Sequence, residues 1–243
     1  MPSVINDWIK VHNKSEVSHI NGKDVPVVEA YVGEYAGGKS ENAVNRALSL
    51  LERGRQVTLV DLDLVEPFYT LRPLKQKLEK TGLEVLTWQT DETIGLGEAG
   101  YPLRPDIRWA LRRQHDIIID SGYGVEGAKT LNLLEGASQH PYLQVLAVIN
   151  ISRPVTGTVE NIIAYVQSLG RVTGLINNTH LGDETTVAVV QEGAKVVTGA
   201  AKKLGLPVVA TSAVEDIGVR LGTADCMGNP VRKIKRYMPE AFW

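Results

Sequence analysis

Residues 33–40 read Gly-Glu-Tyr-Ala-Gly-Gly-Lys-Ser and fill every fixed position of the pattern G-x-x-x-x-G-K-[S/T]. A mostly apolar run, residues 27–32, precedes them and is interrupted only by Glu29, and a helix-like stretch, residues 41–52, follows. The pattern therefore lies in the strand–loop–helix context that it requires. In that context the backbone N–H groups of the loop and the dipole of the helix are predicted to bind phosphate.

The side chains of the loop suit the same chemistry. Lys39 can reach the terminal phosphates of a nucleotide, and the Ser40 hydroxyl can ligate Mg²⁺. Gly33, Gly37 and Gly38 permit backbone angles and a close approach that a Cβ atom would block. The sequence therefore predicts a nucleotide site with Mg²⁺ as its metal.

Composition sets limits on other functions. The chain has 243 residues, a net charge of −2 and one cysteine, Cys226. The charge balance gives no indication of a large nucleic-acid-binding surface, and one cysteine can form neither an intrachain disulfide nor a four-cysteine metal site. Residues 1–14 lack a signal-peptide core, and no apolar stretch approaches the ~20 residues of a membrane span. We therefore expect a cytoplasmic protein.

Short β-rich runs alternate with helical patterns along most of the chain. The β-rich runs are largely continuous apolar segments, as expected when helices cover both faces of a parallel sheet. The fold class predicted is α/β: a three-layer, doubly wound, mainly parallel seven-stranded sheet flanked by helices. The predicted strands are 27–32, 57–61, 84–88, 116–120, 144–150, 172–176 and 207–210, and the predicted helices are 39–53, 69–81, 105–113, 156–169 and 184–204.

Signals at the ends of the elements define the organisation further. Asp183 is predicted to cap the last long helix, and Gly205 to end it. Asn21-Gly22 predicts a tight hairpin that pairs residues 17–20 with the start of the first core strand as an antiparallel edge. The domains expected are an N-terminal extension with this hairpin, residues 1–24, and a nucleotide-binding domain with a C-terminal tail, residues 25–243.

Three aspartates follow two of the predicted strands. Asp61 and Asp63 end the second strand, and two residues this far apart project to the same side of an extended chain. Asp120 ends the fully apolar fourth strand and is followed by Ser-Gly-Tyr-Gly. Ligand sites in doubly wound folds lie at the carboxyl ends of strands, so these carboxylates are expected beside the phosphate loop. There they can hold water ligands of Mg²⁺ or orient an attacking water.

The loop at 33–40, the sequence Asp61-x-Asp63 followed by Pro67, and the Asp120-Ser-Gly-x-Gly segment resemble the MinD/ParA/CobQ-type P-loop ATPases of the SIMIBI class. The resemblance covers about residues 25–217 and implies ATP hydrolysis with Mg²⁺ and, in many members, dimerisation around nucleotide. It implies that Asp63 positions the attacking water. The site residues expected are Gly33, Gly37, Gly38, Lys39, Ser40, Glu41 and Asn177 for the nucleotide, Lys39, Asp63 and Asp61 for catalysis, and Ser40, Asp61 and Asp120 for the metal.

The chain departs from that family in the phosphate loop, and a second position bears on the choice of base. Many members carry a signature lysine after the first glycine of the loop, where this chain has Glu34. An acidic group cannot stabilise developing phosphoryl charge, so hydrolysis is expected to be slow or triggered by a partner. Guanine-specific relatives have an aspartate where this chain has His180, and we therefore expect adenine, with Asn177 bonding its edge.

These observations predict an ATPase whose nucleotide state switches contact with an unidentified protein partner, and a homodimer is one possibility. A first alternative is an ATP-dependent synthetase that activates a small carboxylate, with arginines of the Gly/Pro-rich segment 91–113 binding the substrate. A second is a module that binds ATP without turnover, which Glu34 suggests. The basic tail contains Pro230 and Pro239, which limit any helix there, so membrane contact is not expected.

Overall fold

The computed structural model describes residues 19–20, 23–63, 71–87 and 104–238. The features noted in the sequence at Pro67, in residues 91–103 and at the end of the C-terminal tail, residues 239–243, lie outside these ranges. Within them no helix is both long enough and apolar enough to cross a membrane.

The main sheet has eight strands in the described part of the chain, and all neighbouring pairs are parallel. All seven predicted strands are present, and the eighth, in the C-terminal segment, was not predicted. The strands are β1 Val28–Gly33, β2 Val57–Leu62, β3 Glu84–Leu86, β4 Asp116–Ser121, β5 Leu143–Ile149, β6 Gly174–Asn177, β7 Val208–Val214 and β8 Val231–Ile234. Their order across the sheet is β8-β7-β6-β5-β1-β4-β2-β3.

Helices cover both faces of this sheet, as the continuous apolar strands predict. The α-helices in the described residues are α1 Lys39–Glu52, α2 Lys75–Glu79, α3 Pro105–Arg108, α4 Gly124–Lys129, α5 Val159–Ser168, α6 Val187–Leu204 and α7 Glu215–Leu221. Short 3₁₀ turns lie at Arg72–Leu74, Ala110–Arg112, Thr130–Leu133, Ala137–Gln139 and Pro154–Thr156. Helices α4 and α7 were not predicted, because six or seven residues hold too little of a 3.6-residue period to recognise.

The two faces of β1 show why the fold has three layers. Ala30 and Val32 point into a core shared with α5 and α6, whereas Tyr31 points into a second core shared with α1. All three side chains have no solvent exposure. A strand buried on both faces needs apolar residues at successive positions rather than at alternate ones, which is the pattern that the sequence shows.

Two predictions about boundaries need correction. The hairpin around residues 21–22 exists, but it pairs His19–Ile20 with Lys23–Asp24 as a separate two-stranded sheet and does not extend the edge of the main sheet. Helix α6 is capped by Thr186, whose hydroxyl accepts the N–H of Val189, and not by Asp183. Gly205 ends α6 as expected, in the left-handed conformation with φ 67°.

The C-terminal segment packs along α1, the helix that the phosphate-loop pattern opens. Asn45 of α1 bonds both backbone groups of Lys235, donating to its carbonyl and accepting its N–H at 2.8 Å each. The Glu41 carboxylate accepts the N–H groups of Tyr237 and Met238 at 2.8–2.9 Å. For the residues that follow β8, these bonds take the place of bonds to a neighbouring strand. The segment therefore continues as extended chain over α1.

The polar interruption in β1 is part of a buried charge cluster. Glu29 is 3% exposed, and Arg46 of α1 reaches it at 2.9 Å while the Tyr31 hydroxyl donates to it at 2.7 Å. Burial opposes the ionisation of Glu29, but the charges of Arg46 and Arg232 outweigh it and hold the pKa of this carboxyl at about 2. This charge cluster, with Glu29 in β1, Arg46 in α1 and Arg232 in β8, therefore joins the three elements.

Glu29→Gln is expected to lower the free energy of unfolding by about 3–5 kcal/mol at pH 7, because it leaves Arg46 buried without its counter-charge. Because the folded pKa lies below the ordinary value of 4.5, the contribution is complete above that pH and is lost as the pH falls toward 2. Urea unfolding between pH 3 and 7 measures it. Glu52→Gln, at the exposed end of α1, is the control and is expected to cost under about 0.5 kcal/mol. Equal losses of unfolding free energy in Glu29→Gln and Glu52→Gln would contradict the stabilising role of the buried Glu29 charge.

Candidate functional site

The phosphate loop connects β1 to α1 through backbone of alternating handedness. Ala36 has φ 50° and Gly38 has φ 87°, both in the left-handed region, with Gly37 between them outside it. Such alternation turns successive N–H groups toward one side, which forms a concave anion-binding nest. The start of α1 adds the N–H groups of residues 39–41, which have no acceptor within the helix.

Three side chains hold the carbonyl groups on the other side of the loop, two from α1 and one from the residue that follows β6. The Lys39 Nζ donates to the Glu34 carbonyl at 3.0 Å, the Asn178 amide donates to the Gly37 carbonyl at 2.9 Å, and the Asn42 amide donates to that of Gly38 at 2.9 Å. A peptide whose carbonyl is bonded on one side presents its N–H on the other. The loop is therefore pre-organised to receive an anion.

Gly38→Ala is expected to lower the free energy of unfolding by more than the ~1–2 kcal/mol of a left-handed non-glycine residue. A Cβ at this position would lie 2.0 Å from the Asn178 Nδ2 atom and would displace its bond to the loop. Gly54→Ala is the matched control, since Gly54 has φ 77° and no atom within 4 Å of the added Cβ. Urea unfolding of both variants isolates the contact. Equal destabilisation would show that Asn178 does not hold the loop.

The carboxylates predicted from the sequence meet at this end of the sheet. Strand β4 lies between β1 and β2, and Asp120 is in register with Tyr31 on one side and with Asp61 on the other. Neighbouring strands lie about 4.8 Å apart, so Asp61 and Asp120 are lateral neighbours beside the loop. Both are buried, at 0% and 1% exposure.

Asp61 is held in place by local hydrogen bonds. Its carboxylate accepts the N–H of Asp63 at 2.9 Å and the Thr87 hydroxyl at 2.8 Å. Burial nevertheless raises the pKa of Asp61 to about 6, because these bonds do not replace full hydration of the charge. The structure thus keeps a carboxylate that is costly to ionise beside the phosphate loop.

Asp120 is the more strongly perturbed of the two acids. Burial and the neighbouring charge of Asp61 raise its pKa, against the opposing effects of a hydrogen bond from Ser40 and the charge of Lys39. Its Oδ1 atom is buried and has no hydrogen-bond partner among the described residues. A buried carboxylate oxygen without a partner is expensive for stability, and a cation would remove that cost.

These residues fit Mg²⁺ bound together with phosphate. Ser40, Asp61 and Asp120 offer oxygen ligands, which Mg²⁺ prefers. In the described part of the chain no three His, Cys, Asp or Glu side chains are arranged to hold a metal among themselves. Mg²⁺ is usually held by one or two carboxylates plus phosphate oxygens and water, so the set is adequate only when a phosphate is present.

The loop that follows β4 closes one side of the site. A Cβ on Gly122 would lie 3.4 Å from the Asp63 Oδ1 atom, which places Asp63 beside this loop. The Tyr123 ring packs edge-on against Tyr35 of the phosphate loop, with the ring centroids 5.6 Å apart. The residue predicted to position an attacking water is therefore next to the segment that follows Asp120.

Glu34, at the place of the family's signature lysine, is turned back onto its own loop. Its carboxylate accepts the N–H of Tyr35 at 2.9 Å. On the other side it faces Tyr165 of α5, and burial together with the Glu34 charge raises the pKa of that phenol. Glu34 therefore makes contacts within its own chain.

Two of the residues predicted to bind nucleotide have side chains engaged elsewhere. Asn177 is fully buried, and its amide donates to the Val190 carbonyl and to the Thr211 hydroxyl at 3.2 Å each. The Glu41 carboxylate holds the C-terminal segment, so only the backbone of Glu41 faces the phosphate side. The structure does not bring the Asn177 side chain to the surface of the site.

The region beyond the loop contains His180 and two arginines. Burial and the charges of Arg153 and Arg236 lower the pKa of His180 to about 4, so it is neutral at pH 7. The Asn150 side chain accepts the His180 N–H and donates to its carbonyl, both at 3.3 Å. This pair of bonds joins the loops that follow β5 and β6.

The arginines of the 91–113 segment contact other groups of the protein, three of them acidic side chains and one an aromatic ring. Arg104 pairs with Asp106 at 2.9 Å, and Arg113 pairs with Glu84 at 2.9 Å. Arg112 is stacked 3.5 Å from the centre of the Trp109 ring. These side chains are committed to local structure, and the structure does not gather them into an anion site.

No protein-family model matches this sequence, and no curated protein is significantly similar to it. Solved structures are similar in fold. The cell division protein FtsY from Thermotoga maritima is 17% identical with a TM-score of 0.52, over 88% of this chain and 70% of that one. The signal recognition particle receptor FtsY from Elizabethkingia anophelis is 16% identical with a TM-score of 0.51, over 88% and 67%. Chloroplast FtsY from Physcomitrella patens is 18% identical with a TM-score of 0.50, over 89% and 68%.

At these identities the likeness establishes the fold. The chain has the α/β fold of P-loop nucleotide-binding proteins, with the parallel sheet and flanking helices that the sequence predicts.

Sequence reasoning missed the residues that support the loop from outside. Asn42, Asn178 and Arg153 each donate to a loop carbonyl, and two of them are far from the loop in sequence. The one available signal was the position of Asn178 at the end of an apolar strand, where parallel strands place functional side chains. Nothing in the sequence near Arg153 indicated its contact.

Proposed function

We propose that this chain is a cytoplasmic, Mg²⁺-dependent ATPase of the MinD/ParA type whose nucleotide state switches contact with a protein partner. The observation that carries the proposal is the meeting of the phosphate loop with Asp61 and Asp120 at the carboxyl ends of three adjacent strands. A P-loop turn that bound nothing would not need two buried acids beside it, since their burial costs stability.

The proposed division of labour follows the geometry. The N–H groups of the loop and the Lys39 ammonium bind the β- and γ-phosphates. Ser40, Asp61 and Asp120 would hold the metal. Mg²⁺, when bound, neutralises charge on the phosphates. Asp63 accepts a hydrogen bond from the attacking water and so orients it toward the γ-phosphate.

Adenine is proposed as the base because His180 stands where a guanine site needs an acidic acceptor. A neutral histidine cannot accept from both the N1 and N2 groups of guanine as a carboxylate does. Asn177, with its amide bonded inside the protein, is proposed to support the strand end rather than to contact the base with its side chain. An FtsY structure from Elizabethkingia anophelis contains GDP, so GTP must be tested alongside ATP.

A protein-partnered switch is favoured over a synthetase by the described arginines. A synthetase that activates a small carboxylate needs free cationic side chains near the phosphates. Arg104, Arg108 and Arg113 instead pair with Asp106, Glu135 and Glu84. The partner is proposed to be another protein or a second copy of this chain.

Calorimetric titration with ATP and GTP, with and without Mg²⁺, followed by phosphate release in the same samples, tests the proposal. We expect Mg²⁺-dependent ATP binding, weaker GTP binding and slow phosphate release. Tight ATP binding with no phosphate release would indicate a non-hydrolysing module. Phosphate release that appears only with a small carboxylic acid would indicate a synthetase. Binding of neither nucleotide would overturn the proposal.

A further inference from the structure

Arg153 lies in the loop that follows β5, the strand next to β1 in the sheet. Its Nη2 atom donates to the carbonyl of Ala36, in the first half of the phosphate loop, at 3.3 Å. Its Nε atom is buried and makes no hydrogen bond to any described residue. The guanidinium thus lies against the phosphate loop with a donor still available, and burial makes that donor costly to leave unused.

The loop that carries Arg153 is held rigidly. The Arg153 N–H donates to the Asn150 carbonyl at 3.1 Å, and the Thr156 N–H donates to the Arg153 carbonyl at 3.0 Å. The Asn150 side chain accepts the N–H of Ser152 at 3.0 Å and bonds the backbone of His180 as described above. A side chain presented from such a backbone loses little further entropy on making a contact.

The other carbonyl bonds of the phosphate loop divide it into two halves. Gly37 and Gly38 are held by Asn178 and Asn42, close to the start of α1. Ala36 is held by Arg153. The second half, with the N–H groups at the start of the helix, is therefore held without Arg153. In the first half the Glu34 carbonyl accepts from Lys39 Nζ and from the Gly37 N–H, and Arg153 holds the Ala36 carbonyl.

Charge adds to this contact. Glu34 places a negative charge in the first half of the loop, beside the Ala36 that Arg153 contacts. A guanidinium is always charged and offers several donors in a fixed plane, which suits it to hold a carbonyl and an anionic neighbourhood together.

We propose that Arg153 is a positioning residue for the terminal phosphate: it fixes the Ala36 half of the loop and offsets the charge of Glu34 there. This inference rests on the proposed function. The same proposal assigns the terminal phosphate to the Ala36 half of the loop and the diphosphate to the half that Asn42 and Asn178 hold. Loss of Arg153 should therefore affect the binding of a nucleoside triphosphate more than that of a diphosphate.

The test compares the affinities of the full chain for Mg²⁺-ADP and for a Mg²⁺-bound β,γ-imido analogue of ATP. Arg153→Gln is expected to weaken the analogue about tenfold or more and to leave ADP within about threefold. Arg153→Lys keeps the charge and one donor, so its affinity for the analogue is expected to lie between those of Arg153→Gln and the wild type. Arg171→Gln is the matched control, because Arg171 also donates to backbone carbonyls, those of Ser138 and Leu143, away from the phosphate loop.

Each outcome is decisive. The inference would be overturned if Arg153→Gln lost affinity equally for the analogue and for ADP, or if its affinities matched those of Arg171→Gln. In either case the proposed function would stand as long as the wild-type protein binds the nucleotides. Wild-type protein that binds neither nucleotide would overturn both. If the Arg153 variants fail to fold while Arg171→Gln folds, Arg153 is a structural residue and the inference is overturned. If Arg153→Lys bound the analogue as weakly as Arg153→Gln, the charge of Arg153 would not contribute, and that part of the inference would be overturned.

Discussion

Lys39→Ala is expected to weaken the binding of Mg²⁺-ATP by at least about 100-fold, which corresponds to about 2.7 kcal/mol. Lys39 is 8% exposed, and its ammonium group donates to the Glu34 carbonyl across the mouth of the loop. A charge held in so dry a position interacts with phosphate more strongly than one in water. The loss is therefore expected to be much larger than that of a surface lysine.

The fold is expected to survive this change. The Gly37 and Gly38 carbonyls keep their bonds to Asn178 and Asn42 in this variant, so the free energy of unfolding should stay within about 1 kcal/mol. Lys195→Ala on α6 is the control, because Lys195 is exposed and pairs with Glu192 at 3.3 Å on the surface. Calorimetry and urea unfolding of the two variants separate the effects. ATP affinity undiminished in Lys39→Ala would contradict the assignment of the loop.

Asp120→Asn is expected to act on stability and on binding in opposite directions. In the unliganded protein the Asp120 carboxylate is buried beside Asp61, and its Oδ1 atom accepts no hydrogen bond from the part of the chain that the structure describes. Asparagine removes the charge while keeping the size, so the free energy of unfolding at pH 8 should rise by about 1–3 kcal/mol. Mg²⁺-dependent ATP binding should fall at least about tenfold, since a metal-side carboxylate is lost.

The pH dependence of stability follows from the same burial. The folded pKa of Asp120 lies above the unfolded value near 4, as does that of Asp61, which is raised to about 6. Between those values the folded protein binds more protons than the unfolded chain, so the free energy of unfolding falls as the pH rises. Urea titrations from pH 5 to 8 should show this slope in the wild type and a smaller one in Asp120→Asn.

Asp116→Asn is the matched control for this experiment. Asp116 begins the strand that Asp120 nearly ends and is equally buried, at 1% exposure each. It pairs with Arg55 and accepts the Val27 N–H at 2.8 Å. Its loss should therefore destabilise the protein by about 3–5 kcal/mol. If both variants destabilise the protein at pH 8, Asp120 is an ordinary structural acid and the metal assignment loses its support.

Local signals predicted much of this protein correctly. The pattern at 33–40, continuous apolar strands and glycines at helix ends act within a few residues, so a single sequence shows them. They predicted seven of the strands, the three-layer arrangement and the strand ends at which Asp61 and Asp120 lie. The assignment of these residues to phosphate and metal remains a prediction.

Non-local contacts accounted for what the sequence did not show. Strand β8 forms because β7 offers it an edge and α1 offers Asn45 and Glu41 to the chain that follows, and neither is visible in the local sequence. The contacts of Asn178 and Arg153 with the loop join positions more than a hundred residues apart. The pKa of Asp120 likewise depends on Asp61, Ser40 and Lys39, which are distant from it in sequence.

The sequence alone predicted the phosphate loop and the strand ends, because backbone conformation and hydrophobic period are properties of neighbouring residues. The strand order placed β4 between β1 and β2 and so set Asp61 and Asp120 side by side. Their raised pKa values follow from that placement and from burial, which are properties of the packed molecule. A residue's type can be known from the chain, but its solvation and its partners arise only when distant strands assemble.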